Sequence, residues 1–277
     1  MSGLDPVLLR GLAAVAPYLD EVVIAGGWVP HIYELLYDAT KAGRSPRTRD
    51  IDLAVRRDVP VKDQTMDKLL ESAGFTCRFQ SLETPPVTKY VVTDDDQVIE
   101  IEFITDAPGS TEGVRYVQPD VTAQELHYVS LLLESTWPVD LGPLTDGQLE
   151  HTLLVPTPGA FLLHKALVFK GRSDATKKEK DLYYVFFVLA AFPEWRGTIS
   201  AELGQLARHR TAWFKKCVGN LKAIFESPDG AGVAALLNQR PETAYPGLSN
   251  DQFRQYAFNV MSELIAIMDK ALAPAGT

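Results

Sequence analysis

Cysteine is scarce in this chain. Cys77 and Cys217 are the only two among 277 residues, far apart and without the spacing of metal ligands. That excludes a disulfide framework and a cysteine-based zinc site, and leaves two reduced thiols as the expectation. Long apolar runs are missing too, since no stretch reaches the roughly 18 residues that a membrane-spanning helix needs. The N-terminus, MSGLDPVLLRGL, lacks the basic start and apolar core of a secretory signal. A cytoplasmic protein with no membrane partner is therefore expected. Positive charge is in deficit: 27 Lys and Arg stand against 36 Asp and Glu, a net −9. A protein that coats nucleic acid neutralises phosphates and is normally basic, so a broad, non-specific grip on nucleic acid is excluded. A local basic cleft is not.

An apolar share of 46% supports a proper core, and 23% charged residues is an ordinary globular proportion. Apolar residues recur at helical spacing over 7–20, and EVVIAGG then reads as a short strand ended by two glycines. HIYELLYDATKAG predicts a helix stopping near Gly43. The basic turn RSPRTR leads into DIDLAV, which alternates like a half-buried strand. DQTMDKLLESAG predicts a helix closed by Gly74. The runs FTCRFQ, TKYVVT and VIEIEFIT predict three strands, the last two paired as a hairpin around TDDDQ. Further short strands are expected up to about VPTPG. From Ala160 onward five runs carry helical periodicity, among them AFLLHKALVFKG and KKEKDLYYVFFVLAAF. The pattern predicts an α+β first domain over 1–156 and a helical domain over 157–277.

Three features of the first domain bear on chemistry. Gly26 and Gly27 stand directly after a strand and before a helix, where they let the backbone approach a ligand and the helix N-terminus favours phosphate. Taken alone, such a pair is also an ordinary tight turn. Asp50 and Asp52 share one face of their strand, with Ile51 on the other. Two like charges so close call for a positive neighbour, and hard oxygen ligands suit magnesium; the bland alternative is a solvated acidic pair. Glu100 and Glu102 likewise share a strand face. If that strand neighbours DIDL, one of them completes a three-acid site able to hold two metals. Glu102 is favoured because it directly precedes the apolar FIT run, with Glu100 its competitor. This reading requires the side chain at 102 to face those at 50 and 52, with no salt bridge in the cation's place.

The order strand, Gly-Gly, helix, Asp-x-Asp strand and later acidic strand resembles the polymerase-β-like nucleotidyltransferase superfamily. Arg47-Thr48-Arg49-Asp50-Ile51-Asp52 resembles the AbiE-type toxin and related bacterial branch of it. The likeness covers residues 20–105 and extends more weakly to about 190. It implies a nucleotidyltransferase-like mixed sheet with flanking helices, followed by a helical C-terminal domain. It implies magnesium held by Asp50, Asp52 and Glu102, and a nucleoside triphosphate contacted by Gly26, Gly27, Arg47, Thr48 and Lys165. Asp181 would support the site. The acceptor would be transfer RNA or another RNA, or else a small molecule, and an antitoxin protein would be a partner of a toxin-like member. Trp28 departs from the pattern, since a serine often follows or replaces the second glycine; that departure favours a rival in which the fold binds or regulates without catalysis. The gap between Gly27 and Asp50 is longer than in the smallest members. Other residues have blander readings: His31 on a helix surface, Lys177, Lys178 and Lys180 on a solvated face, and Arg44, Arg47 and Arg49 either steering triphosphate or lying in a solvated loop.

Overall fold

A computed structural model of the chain describes residues 3–37, 45–46, 48–79, 88–94 and 97–273. The expected turn near Gly43, residues Arg44 and Arg47, and the centre of TDDDQ lie outside the described residues. The chain divides into two compact units, Met1–Leu35 with Arg47–Pro156, and Leu36–Pro46 with Thr157–Thr277.

In chain order the first unit contains α1 (Pro6–Ala14), β1 (Val22–Ile24), most of α2 (Trp28–Leu36), β2 (Asp50–Val55), α3 (Met66–Ser72), β3 (Thr76–Phe79), β4 (Thr88–Asp94) and β5 (Gln97–Asp106). It continues with β6 (Gly113–Gln118), β7 (Val121–Leu126), α4 (Val129–Glu134), β8 (Thr136–Asp140) and β9 (Thr152–Pro156). The strands form one mixed sheet in the order β3-β4-β5-β2-β1-β9-β8, with β7 pairing the end of β5 and β6 pairing β7. β2 runs parallel to β5 and antiparallel to β1, while β4 is antiparallel to β5.

The two faces of this sheet are built differently. Ile51, Leu53, Ile101 and Phe103 are buried on one face, where helix α1 packs without a side chain at Gly11. A Cβ there would stand 2.3 Å from the Ile51 Cδ1. The Tyr90 hydroxyl, on the same face, donates to Asp67 of α3 at 2.8 Å. On the opposite face Val23, Ala25, Ala54 and Ile104 form an apolar cluster with Val129 and Leu132 of α4. Asp50, Asp52, Glu100 and Glu102 belong to this second face by strand alternation, at the end that α4 leaves uncovered.

Helix α4 corrects the expectation of continuous short strands before VPTPG. A six-residue apolar run such as VSLLLE fits a buried strand or a buried helix by periodicity alone. Here Tyr128 turns the chain in the left-handed region at φ 70°, and the Asp106 carboxylate accepts from the Ser130 N–H at 2.8 Å. A distant side chain thus caps the helix, which no local pattern encodes. The opening helix is likewise shorter than its apolar spacing predicts, giving way after Ala14 to a short 3-10 turn at Ala16–Tyr18. Helix α2 ends at Leu36.

The second unit is helical: α5 (Pro158–Val168), α6 (Ala175–Ala191), α7 (Arg196–His209), α8 (Thr211–Ile224), α9 (Ala231–Gln239) and α10 (Asn250–Leu272). Pro158 sits in the first turn of α5, where its missing N–H costs nothing, and Thr157 caps that turn. The Gly159 N–H donates to the Glu202 carboxylate of α7 at 2.7 Å. Helix α10 begins with a reciprocal Ser249–Gln252 capping box. Phe186 of the fully buried stretch of α6 forms the centre of an aromatic cluster, its ring 5.6 Å from Phe253, 5.7 Å from Tyr183 and 6.0 Å from both Tyr245 and Tyr256. Truncation there leaves a cavity that helices pinned by several other contacts cannot close. Phe186→Ala should therefore lower the unfolding free energy by about 3–5 kcal/mol, measured by urea denaturation.

Candidate functional site

The register between β2 and β5 sets the geometry. Asp50 pairs with Glu100, and Asp52 pairs with Glu102, so four carboxylates occupy two adjacent rows of one face. All four are half-buried and alternate with fully buried neighbours. Burial pushes the Glu102 carboxyl above its ordinary value, and the charges of Asp50 and Glu100 push the same way, against the pull of Lys89. The condition that residue 102 share a face with residues 50 and 52 is met.

The condition that no salt bridge stand there is not met, and this corrects the sequence-based expectation. The Lys89 ammonium lies 2.6 Å from Glu102 Oε1 and 2.8 Å from Glu100 Oε2. Burial lowers the pKa of Lys89, but hydrogen bonds and charge from the two glutamates outweigh it and hold the group above its usual range. Lys89 comes from β4, on the far side of β5 from β2. It therefore reaches the glutamates from one side while Asp50 and Asp52 adjoin them from the other. One ammonium bridges two of the acids.

The Gly-Gly turn borders the aspartates. The Ala25 N–H donates to the Asp52 carbonyl at 2.8 Å, and Gly26 then adopts φ +64°. A Cβ at Gly26 would stand 2.0 Å from Asp52 Oδ2, so the absent side chain is what lets the carboxylate approach the turn. Gly27 completes the turn and α2 starts at Trp28. Trp28 is buried, its indole N–H has no hydrogen-bond partner among the described residues, and its ring meets His31 edge-on at 5.6 Å. His31 is buried rather than on the helix surface, with Nδ1 3.5 Å from Glu34. The reason is that α2 is apolar for most of its circumference, so even its polar positions are enclosed. Thr48 donates its hydroxyl to Asp50 Oδ1, which gives it a carboxylate-orienting position. Arg49 is exposed.

This structure fits a divalent cation through its donor set. Asp50 and Asp52 offer hard oxygens beside a glycine turn, and magnesium is commonly held by one or two carboxylates with substrate phosphates and water completing the shell. Among the described residues no group of three or more His, Cys, Asp or Glu side chains is already arranged around one metal position. Glu102 is instead engaged by Lys89. Neither Lys89 nor the role of Thr48 was anticipated from the sequence. The signal for Lys89 was present, because antiparallel pairing of the β4–β5 hairpin places it on the face of Glu100 and Glu102.

Lys165 and Asp181 lie in the second unit and are joined there. The Lys165 ammonium bonds Asp181 Oδ1 at 2.7 Å, and Arg172 Nε bonds Oδ2 at 2.9 Å. Lys165 is buried, with its charge also over the rings of Tyr184 and Phe161 at 5.5 and 5.8 Å. It does not present that charge to solvent. Burial raises the Asp181 pKa, but the two cations outweigh it and hold the carboxyl below its ordinary range. His164 beside it is pushed down to about 3 by burial and the Lys165 charge, and is neutral.

Residues 7–203 match a protein family described as nucleotidyltransferase. Among solved structures, an antigenic nucleotidyltransferase-like protein from Paracoccidioides brasiliensis is similar at 17% identity and a TM-score of 0.36, over 78% of this chain and 94% of that one. No curated protein matches the chain. No helix among the described residues is long and apolar enough to cross a membrane.

Two outcomes follow from this geometry. Gly26→Ala forces an L side chain into the left-handed region and against Asp52, so stability should fall by at least about 1–2 kcal/mol in chemical denaturation. Asp181→Asn leaves two cations without their shared carboxylate and should cost about 3–5 kcal/mol at neutral pH. Because the folded pKa of Asp181 is depressed, its stabilisation is complete above the unfolded value and disappears as pH falls through the folded one. The gap between wild type and Asp181→Asn should therefore narrow on acidification, read by urea unfolding across the acid range.

Proposed function

This chain belongs to the nucleotidyltransferase family, and we propose that it moves a nucleoside monophosphate from a nucleoside triphosphate to an acceptor hydroxyl, with magnesium at Asp50 and Asp52. The single observation that carries the reading is the β2–β5 register, which gathers four carboxylates on one face beside the Gly26 turn. Hard carboxylate oxygens gathered on one face suit a divalent cation, and a triphosphate brings oxygens that share it.

The acceptor oxygen attacks the α-phosphorus, the bond from that phosphorus to the bridging oxygen breaks, and pyrophosphate leaves. Bound magnesium would neutralise charge on the phosphate oxygens and fix the triphosphate. Asp50 and Asp52 would hold it, with Thr48 orienting Asp50. Gly26 and Gly27 bring backbone close to the phosphates, and the start of α2 directs free N–H groups toward them. Thus the backbone supplies phosphate contacts at a turn followed by Trp28 rather than serine. Arg47 and Lys165 are carried as triphosphate contacts, and Asp181 as a support of the site, by resemblance alone. Glu102 is carried as the third carboxylate by resemblance alone, and its bridge to Lys89 would have to open for it to reach a metal. RNA, in keeping with the toxin-like motif around Arg47–Asp52, is one acceptor; a small molecule is the other, favoured by the acidic total charge. Incubation with labelled triphosphates and total cellular RNA separates them. In a toxin-like member an antitoxin protein would be the natural partner, and the cytoplasm the site of action.

The Lys89 bridge also favours a second reading, in which the fold binds or regulates without transferring a nucleotide, since an internal ammonium already offsets part of the acidic charge. Thermal unfolding with magnesium and each of the four common triphosphates tests whether nucleotide binds at all. A ligand at a hundred times its dissociation constant adds about 2.7 kcal/mol, which reads as a clear rise in Tm. Asp52→Asn separates the two readings further. On the transfer reading it should lower labelled-nucleotide transfer by roughly a thousandfold, the scale of losing several kcal/mol of metal-assisted stabilisation. Full transfer by that variant would defeat the assignment.

A further inference from the structure

We infer that the corner between α7 and α8 docks a single-stranded RNA acceptor, with Arg208, Arg210, Lys215 and Lys216 serving its phosphates and Trp213 stacking a base. The inference takes its acceptor from the transfer reading above and names the surface that holds it.

The chain's charge is unevenly divided. Residues 1–156 hold 12 Lys and Arg against 25 Asp and Glu, a net −13, whereas residues 157–277 hold 15 against 11, a net +4. The acidic total thus belongs to the first part of the chain, and such asymmetry points to a polyanionic partner for the helical part. Its most basic segment is the α7–α8 corner. No acid occurs between Glu202 and Glu226, a stretch that carries Arg208, Arg210, Lys215, Lys216 and Lys222. Glu202 itself is turned to the Gly159 N–H, while Glu263 and Asp269 of α10 pair with Arg196 and Lys222, toward the outer ends of the two helices. At the corner Arg208, Lys215 and Lys216 are exposed, and the half-buried Trp213 has the Arg210 guanidinium 4.8 Å from its ring centre. An aromatic ring partnered by a guanidinium is a surface on which any unpaired base can stack. Trp213, Lys216 and Asn220 follow one another at i, i+3 and i+7, so they line one face of α8. Asn220 accepts from the Lys170 ammonium at 3.2 Å, which brings a further cation to that face. A duplex keeps its bases stacked on one another, and an acidic polypeptide answers the charge but not the ring. A single strand answers both, and it ends in the hydroxyl that the transfer needs.

The test is fluorescence anisotropy of a labelled single-stranded RNA of mixed sequence, titrated with the full-length protein without triphosphate. Wild type should bind, with an affinity that falls as salt rises. Arg208→Glu combined with Lys215→Glu should weaken binding at least about tenfold and flatten the log–log salt dependence by about 0.7 per cation lost. Trp213→Ala, checked for folding by circular dichroism, should weaken binding by about tenfold and keep the wild-type salt slope. Lys68→Glu combined with Arg78→Glu makes the same charge change on exposed residues of the first unit and should bind as wild type does. The inference is overturned by a wild type that does not bind RNA, by full affinity in the corner double variant, or by equal weakening in the two double variants. Displacement of the RNA by polyglutamate as effective as by unlabelled RNA overturns it too, in favour of an acidic polypeptide. The transfer reading is scored apart, by the rise in Tm with magnesium and triphosphate, which the corner variants should keep. Absence of that rise in every protein defeats the transfer reading, while the anisotropy still decides the corner.

Discussion

Everything at the candidate site depends on one backbone constraint, the parallel pairing of β2 with β5. Parallel strands in register set equivalent positions side by side, with side chains on a common face. Here that rule converts two separate acidic alternations, DID and EIE, into a single patch holding Asp50, Asp52, Glu100 and Glu102. Shifting the register by one residue would send two acids into the apolar face under α1, where Ile51 and Ile101 now pack. Hydrophobic burial on one face therefore holds charge concentration on the other. The packing energy of Ile51, Leu53, Ile101 and Phe103 offsets the repulsion among the carboxylates behind them.

The same face changes character along its strands. Toward Ala54 and Ile104 it is apolar and covered by α4; toward Asp50 and Glu100 it is acidic and uncovered by that helix. Asp106 contributes to this division although it bears no direct relation to the site, because its carboxylate caps α4. A strand can thus carry ligand groups at one end and core at the other. Gly26 serves a comparable end in β1's exit turn. Its positive φ and missing Cβ are used by one neighbour, Asp52, and no other residue type fits both demands.

Local pattern made much of this legible. Alternation in DIDLAV and VIEIEFIT identified both acidic strands, and the glycine pair after a β-branched run located the turn. What it left open were properties of long-range pairing. Lys89 lies in a strand whose hairpin register is readable, yet its importance appears only when β5 is joined on its other edge by β2, about fifty residues earlier in the chain. His31 was placed on a helix surface by sequence, whereas the apolar circumference of α2 encloses it. Lys165 and Asp181 were named together by resemblance, but their direct ion pair was not legible, because periodicity cannot tell which way a lysine turns on a helix buried along nearly its whole length. The run VSLLLE needed Tyr128 and Asp106 to decide between helix and strand.

A face that gathers four carboxylates carries an electrostatic strain before any ligand binds, and the Lys89 bridge relieves part of it. Four carboxylates within two rows would repel strongly in a half-buried setting, and protonating them would discard the charge that a cation needs. A lysine from the neighbouring strand relieves the glutamate side in the nucleotide-free protein without touching the aspartates. The second unit shows the opposite ratio, one buried carboxylate between Lys165 and Arg172, and satisfies it internally. In both clusters folding brings carboxylates and cations together from separate elements. The first of them borders the turn from β1 into α2, so the acids that the β2–β5 register gathers stand where the chain also brings its backbone close, at Gly26.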